Sequence, residues 1–413
     1  MLWHIPLRNL FRNRRRTLLG LAIIALGTAM VYAVLGYVDF TMYNIRLGTV
    51  KQYGNFQIAS PLLWDEKTEK FAYLIQPDTL AKVEQILSKE PGVVAYTKQL
   101  NFSGLATTPN KTKVVRATAL EPNNRALDYN DLVVTDDKEH KEWNVGKGLD
   151  PADQGKVLIG RTLAKELQLK PGDFFSVTAT TVDGAYNVGP LRVAGVFRLN
   201  NEVAEGQLIF VPIAYGKTLM NTEGVAKIIV KVNNLDDSVR VASSVQEKLR
   251  AAGLELEIRT WEQLAEFYRQ IKGFFGALFG FLMLSVSVLV FFIVMQVLTL
   301  AFLERTREVG TIRAIGTKRS QVFSMFFMES VMLGVFGSFT GLVLGWLLGQ
   351  GFNALGIGWT PPGAIAPVPV RLSLTLGNAW LPFIVSAIAT LLSSLYPVTR
   401  TARITIVDAL RTA

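Results

Sequence analysis

Four long apolar runs, residues 17–38, 273–303, 330–351 and 372–398, interrupt an otherwise mixed pattern of hydrophobic and polar positions. Each has the roughly 20 residues that a helix needs to cross a bilayer, and predicts a transmembrane span. Between the first two lies a long polar block in which strand and helix patterns alternate. Residues 55–59, 93–107, 113–120, 157–159, 174–181, 191–197, 207–211, 227–232 and 254–258 read as strands. Asp78 caps a helical pattern at Leu80, Val83, Ile86 and Leu87 that Pro91-Gly92 closes, and Asp236 caps another at Val239, Val241 and Val245. A short helix is expected at 161–169, and 120–156 reads as a long loop or inserted lobe. The fold class is therefore a membrane protein: four transmembrane α-helices with a large α+β extracytoplasmic domain, of two lobes, inserted between helices 1 and 2.

The pattern divides the chain into a basic segment 1–16, helix 1 at 17–38, the extracytoplasmic domain at 39–260, and a stalk plus helix 2 at 261–303. A loop 304–328, helix 3 at 329–351, an extracytoplasmic loop 352–372, helix 4 at 373–398 and a tail 399–413 follow. Segment 1–16 suits either a helix lying on the membrane surface or a plain positive flank. Gly27-Thr28-Ala29 offers a cleavage site, yet the apolar run continues past it to full spanning length, as in an uncleaved anchor. Thr260 is placed to cap a helix, and no proline interrupts the sequence from Trp261 to Leu303. Such a helix is about 65 Å long, twice what hydrocarbon needs. Its first part, with Trp261, Glu262, Glu266, Arg269 and Lys272, is expected outside the membrane as a stalk. Helix 3 carries Gly337, Gly341, Gly345 and Gly349 on one face, a spacing that fits close helix packing in one chain or a dimer seam. Glu329, at the start of that helix, is expected at the inner interface.

Half of the 413 residues are hydrophobic and 18% are charged, and the net charge is +10. That charge invites a nucleic-acid partner, but its distribution excludes one. Residues 40–272 hold 29 basic and 28 acidic side chains. Nearly all the remaining arginines and lysines sit at 8–16, 305–319 and 400–411, the three segments that share one side if the chain crosses four times. Both termini and loop 304–328 are therefore expected in the cytoplasm, with the large domain outside a cell or inner membrane. With no cysteine, disulfides and thiolate metal sites are excluded. His4 and His140 stand apart in sequence and read as solvated, as does the pair Asp136-Asp137. Gly216-Lys217-Thr218 is the nearest approach to a phosphate loop, but Val211 occupies the place of its first glycine. No catalytic, cofactor or metal residues are expected, and no enzyme activity in this chain.

The stretch ERTREVGTIRAIGTKRSQV, the glycine ladder after Glu329-Ser330, and the ending YPVTRTARITIVDALR resemble the permease domain shared by macrolide-exporter, lipoprotein-release and FtsX-type ABC proteins. LRNLFRNRRRTLLG is similar to the amino terminus of that family. VLIGRTLAKELQLKPGDFFSVTAT, LRVAGVF and IRTWEQLAEFY resemble the extracytoplasmic domain of its lipoprotein-release members. The resemblance implies a subunit that works with a second permease copy or paralogue. It implies a separate cytoplasmic ATPase, in two copies, that binds the ATP and magnesium. It implies a coupling helix at Glu304, Arg305, Arg307, Glu308, Gly310, Arg313 and Gly316, which docks on that ATPase. Its mode is mechanotransmission: closure of the ATPase moves the external domains, to export or extract a lipid, lipoprotein or hydrophobic molecule. Residues 183–190 and 120–156 are candidate surfaces for a periplasmic carrier or adaptor, beside the plainer reading of ordinary loops. Two rivals stand beside transport: an FtsX-like regulator of an external wall hydrolase, and an ATPase-independent sensor or scaffold.

Overall fold

The first apolar run lies within a 40-residue helix, α1 (Arg14–Tyr53), that continues well beyond the expected span. The computed structural model describes residues 14–65, 71–137, 140–199, 201–359, 368–405 and 409. His4, most of segment 1–16, loop residues 360–367 and the end of the tail lie outside these. The chain divides into two compact units: a helical one, and a mixed one centred on Ile45–Arg269.

Among the described residues, the mixed unit holds nine strands. These are β1 (Phe56–Ala59), β2 (Val93–Thr107), β3 (Thr112–Leu120), β4 (Lys156–Gly160), β5 (Phe174–Thr180), β6 (Tyr186–Phe197), β7 (Leu208–Pro212), β8 (Lys227–Val232) and β9 (Glu257–Thr260). Helix α2 (Pro77–Ser88) follows β1, and Gln76 holds its N-cap position. Asp78, the expected cap, falls instead in the first turn, where its charge favours the helix dipole. Helices α3 (Arg161–Leu167), α4 (Glu202–Glu205) and α5 (Ile213–Met220) lie between β4 and β8. Helix α6 (Ser238–Ala251) joins β8 to β9. Asn234, not Asp236, caps the tight turn that precedes it.

Strand pairing yields two lobes. In order, β2-β8-β1-β9 form an antiparallel sheet in which β1-α2-β2 and β8-α6-β9 interleave as two βαβ units. Phe56, Ile58, Ile228 and Val230 face α2 and α6 across a buried core. The second lobe closes on itself as β3-β7-β4-β6-β5-β2, with β2 pairing back to β3. Alternate residues of β5 and β6, among them Phe175, Val177, Leu191 and Val193, point to its core. Strand β2 takes part in both lobes: residues 93–99 pair with β8, and residues 99–107 with β3.

The stretch 120–156 has two short 3₁₀ turns, and it buries Trp143 and Asp137. Neither Asp137 nor His140 is simply solvated. Arg161 donates from Nε to the Asp137 carboxylate at 3.0 Å, and His140 stacks on Trp143. Gly216-Lys217-Thr218 lies inside α5, with Gly216 against Ala119, so no phosphate-cradling loop forms there.

The unbroken helix expected from Trp261 to Leu303 is interrupted once. It comprises α7 (Trp261–Leu264) and α8 (Glu266–Leu303), with Ala265 at ψ 77° between them. The break needs neither glycine nor proline. It lets Trp261, Ala265 and Tyr268 pack together on Ile45, Val50 and Tyr53, the same contact that keeps α1 helical past its apolar run. At Gly273 and Gly276 the helix continues without a break.

Helices α9 (Thr306–Ala314), α10 (Arg319–Ala354) and α11 (Leu376–Arg403) complete the helical unit. With α1 and α8, it holds, among the described residues, four helices long and apolar enough to cross a membrane. Helix α11 runs through Pro397, beyond the expected end of its span. Inside it, Thr390, Ser393 and Ser394 donate their hydroxyls to carbonyls three or four residues back, each at 2.8 Å.

The glycine ladder of α10 packs within the chain. Gly337 meets Ile24, Gly341 meets Ala25 and Thr28, Gly345 meets Ala29 and Tyr32, and Gly349 meets Leu374. The first three of these glycines take α1 against their backbone, so the seam left open by sequence is filled by the chain itself.

Candidate functional site

Loop 304–328 is largely helical: it forms α9, a turn, and the first part of α10. Arg305 stands at the N-cap position, the second residue of the two-residue turn that follows α8. Gly316 adopts φ 104°, and the amides of Gly316 and Thr317 donate to the carbonyls of Arg313 and Ile312. That left-handed residue stops α9 and frees the chain to begin α10 at Arg319.

The helix is two-sided. Glu304, Arg307, Glu308 and Thr311 are exposed, at spacings that place them along one face. Arg305, Val309 and Gly310 are buried. Arg305 donates through Nη1 to both oxygens of Glu329, at 2.9 and 2.8 Å. Arg313 is partly buried and donates to the carbonyl of Ile404. The resemblance grouped seven positions, of which Glu304, Arg307 and Glu308 lie on an exposed charged edge, Arg305, Gly310 and Arg313 on a buried or half-buried anchoring edge, and Gly316 in the turn that ends the helix. It also passed over Ile315, which is 82% exposed beside Gly316. An isoleucine between the charged helix and its stopping glycine was the available signal.

Of the stalk residues, Trp261 is buried, while Glu266, Arg269 and Lys272 are exposed and Glu262 is half-buried. The Arg46 guanidinium lies 5.6 Å from the centre of the Trp261 ring and also pairs with Asp236.

A second surface lies on the closed lobe. Hairpin β5–β6 turns at Gly184, whose φ is 86°, and the Thr181 amide donates to the Ala185 carbonyl at 2.7 Å. Residues 183–190 therefore make the tip and first half of β6. In register across the outer face stand Val114, Leu105, Thr178 and Val188, three of them exposed apolar side chains. Tyr186 projects beside them at 84% exposure. Among the described residues, no group of three or more His, Asp or Glu side chains is close enough to hold a metal ion.

Comparisons with known proteins agree with both halves of this picture. Residues 17–248 match the MacB-like periplasmic core domain, and residues 279–406 match the FtsX-like permease C-terminal domain. An uncharacterised ABC transporter permease of Methanocaldococcus jannaschii is 26% identical over 217 residues, 51% of this chain and 52% of that one. The macrolide export ATP-binding/permease protein MacB of Escherichia coli is 26% identical over 175 residues, 41% of this chain and 27% of that protein. The lipoprotein-releasing system transmembrane protein LolE of Haemophilus influenzae is 21% identical over 338 residues, 78% of each chain. The chain thus spans about half the length of the first of these relatives and about a quarter of the second.

Proposed function

This chain belongs to the ABC transporter permeases of the MacB and FtsX type, and on that premise we propose that it is a non-catalytic membrane subunit driven by a separate cytoplasmic ATPase. The observation that carries the proposal is the two-sided helix α9. Its buried edge anchors it, and its outer edge offers Glu304, Arg307, Glu308 and Thr311, with Ile315 beyond its last turn, to a partner. A segment that served only as a positive-inside marker needs neither the anchor nor the exposed isoleucine. ATP and magnesium belong to the ATPase, and α9 receives its movement.

In this reading α9 and both termini face the cytoplasm, and the mixed unit lies outside the membrane. A second copy or a paralogue completes the subunit pair. Helices α1 and α8 carry the movement outward as mechanotransmission, because each runs without interruption from the apolar span into residues of the mixed unit. The material handled is a lipid, lipoprotein or other hydrophobic molecule, in keeping with the names of two relatives. The exposed outer face of hairpin β5–β6 is the surface offered to an external carrier or adaptor.

The test is purification of the full chain in mild detergent from its native cells, where an ABC ATPase is to be looked for among the co-purifying proteins. The ATPase is expected to co-purify, and the paired reversal R307E/E308R, or I315D, is expected to release it while the chain itself stays folded. Retention of the ATPase by both variants would sink the docking assignment. In proteoliposomes, ATP hydrolysis by the complex is expected to rise with added lipid or lipoprotein. A rise with an external wall hydrolase alone would replace transport by regulation.

A further inference from the structure

We infer that Arg305 and Glu329 form a latch that fixes the orientation of α9 against α10, so that Arg305 is a positioning residue and not a contact for the ATPase. The inference rests on the coupling reading above, but its geometry is independent of any partner. Arg305 lies in the turn between α8 and α9, and Glu329 lies on the third turn of α10. Both are nearly sealed, at 8% and 5% exposure. Removing an arginine and a glutamate from water is costly, and breaking the pair would leave either charge buried without its opposite, which is strongly unfavourable. A loop arginine that only marked the cytoplasmic side would remain in water.

The latch sits in an apolar clasp. Phe302 and Val309 flank Arg305 in sequence, and they pack with Val322 and Phe326 of α10 and Val398 of α11. The rings of Phe302 and Phe326 are 4.6 Å apart. At the far end of α9, Arg313 bonds the Ile404 carbonyl, just past α11. Helix α9 is thus tied at its first turn to α10 and at its last turn to the end of α11. A push on its exposed face is passed through these two ties to α10 and to the end of α11. Both bonds to Glu329 come from one guanidinium nitrogen. A lysine ammonium, which is a point charge with several donors, can therefore take over the role.

The absence of cysteine makes a background-free distance measurement available. Spin labels are placed on the exposed positions Thr311 of α9 and Tyr396 of α11 by T311C and Y396C, in the full chain in lipid nanodiscs without any ATPase, with the labelled chain diluted into an excess of unlabelled chain so that only distances within one chain are read. Electron–electron double resonance then reads the width of the distance distribution. The latch predicts one narrow distance, broadened about twofold or more by R305M and by E329Q alike, and no further by the two together, as for two halves of one interaction. R305K is expected to keep the distribution narrow. Unchanged widths in R305M and E329Q, or a broadening by R305K equal to that of R305M, would overturn the latch. If a single substitution leaves a lone buried charge and prevents folding, R305M/E329M removes both charges. Its distribution is expected to be broad, and a narrow one would overturn the inference. Loss of ATPase co-purification decides the coupling reading and leaves this result untouched.

Discussion

Gly341 lies so close to Ala25 that a methyl group at position 341 would stand 2.6 Å from the Ala25 carbonyl oxygen and 2.9 Å from its Cα. These are backbone atoms and cannot rotate aside. G341A is therefore expected to force α1 and α10 apart, at a cost of about 1–3 kcal/mol. Gly351 of the same helix has nothing within 4 Å of the added methyl, and G351A is expected to be neutral or to gain about 0.5–1 kcal/mol from helix propensity. Thermal denaturation of the full chain in detergent checks both. Equal losses would mean that helix propensity, not the seam, governs these positions.

Trp261 holds the break between α7 and α8 in place through its contacts with Tyr268 and with Ile45, Val50 and Tyr53 of α1. W261A is expected to cost about 3–5 kcal/mol. Hydrogen exchange at residues 45–53 and 261–268 is expected to rise together, since the two segments cover each other. A rise confined to 261–264 would show the four-residue helix to be an independent appendage.

Lys227, which opens β8 opposite Gln99, is driven down to about 8 by burial. The unfolded chain, in which a lysine titrates near 10.4, holds that proton more tightly. Unfolding is then coupled to proton uptake above pH 8, so stability rises with pH from that point, and below it the penalty is fully present. Tyr129 and Tyr215, both driven up to about 12 by burial, oppose the trend above pH 10, where the unfolded chain loses their protons first. The comparison is therefore made between pH 7 and 9.5. K227M is expected to stabilise the protein by about 1–3 kcal/mol at pH 7, and to abolish the rise. A slope that survives the substitution would assign it to another group.

Asp136 and Asp137 are neighbours with opposite fates. Asp137 is buried, it pairs with Arg161, and its carboxylate accepts from the His140 amide at 2.9 Å, whereas Asp136 is exposed. D137A leaves Arg161 without this partner and is expected to cost about 3–5 kcal/mol. D136A is expected to stay within about 0.5 kcal/mol. Denaturant titration of the full chain separates the two, and similar midpoints would show the pair to be solvated after all.

What could be read from residues alone follows the range of the forces involved. The four apolar helices and most of the strands are local patterns of hydrophobicity and stand close to where periodicity put them, but β6 begins five residues before the expected 191 and β9 lies at 257–260 where 254–258 was expected. Residues 177 and 191 carry their inward direction in simple alternation. The closure of the second lobe is different: β2 must find β3, β5 and β8, and no local pattern of β2 records those partners. The break at Ala265 was hidden for the same reason, because tertiary packing and not a helix-breaking residue sets it. The partners of Asp137 and Glu329 lie 24 residues away from each in sequence, and charge composition cannot tell a buried pair from a solvated one. The coupling segment was legible as a charged break between apolar runs. Its division into an outer and an anchoring edge needed the bundle around it.

Strand β2 has a consequence for how the mixed unit is inherited and lost. Because one continuous 15-residue strand supplies hydrogen bonds to both lobes, neither lobe owns a complete sheet. The closed lobe is spliced into the other between β2 and β8, so a single cut in the chain cannot release either one whole. The two are therefore expected to melt as a single piece. A relative that kept one lobe and lost the other would have to rebuild half of this strand's hydrogen bonds first.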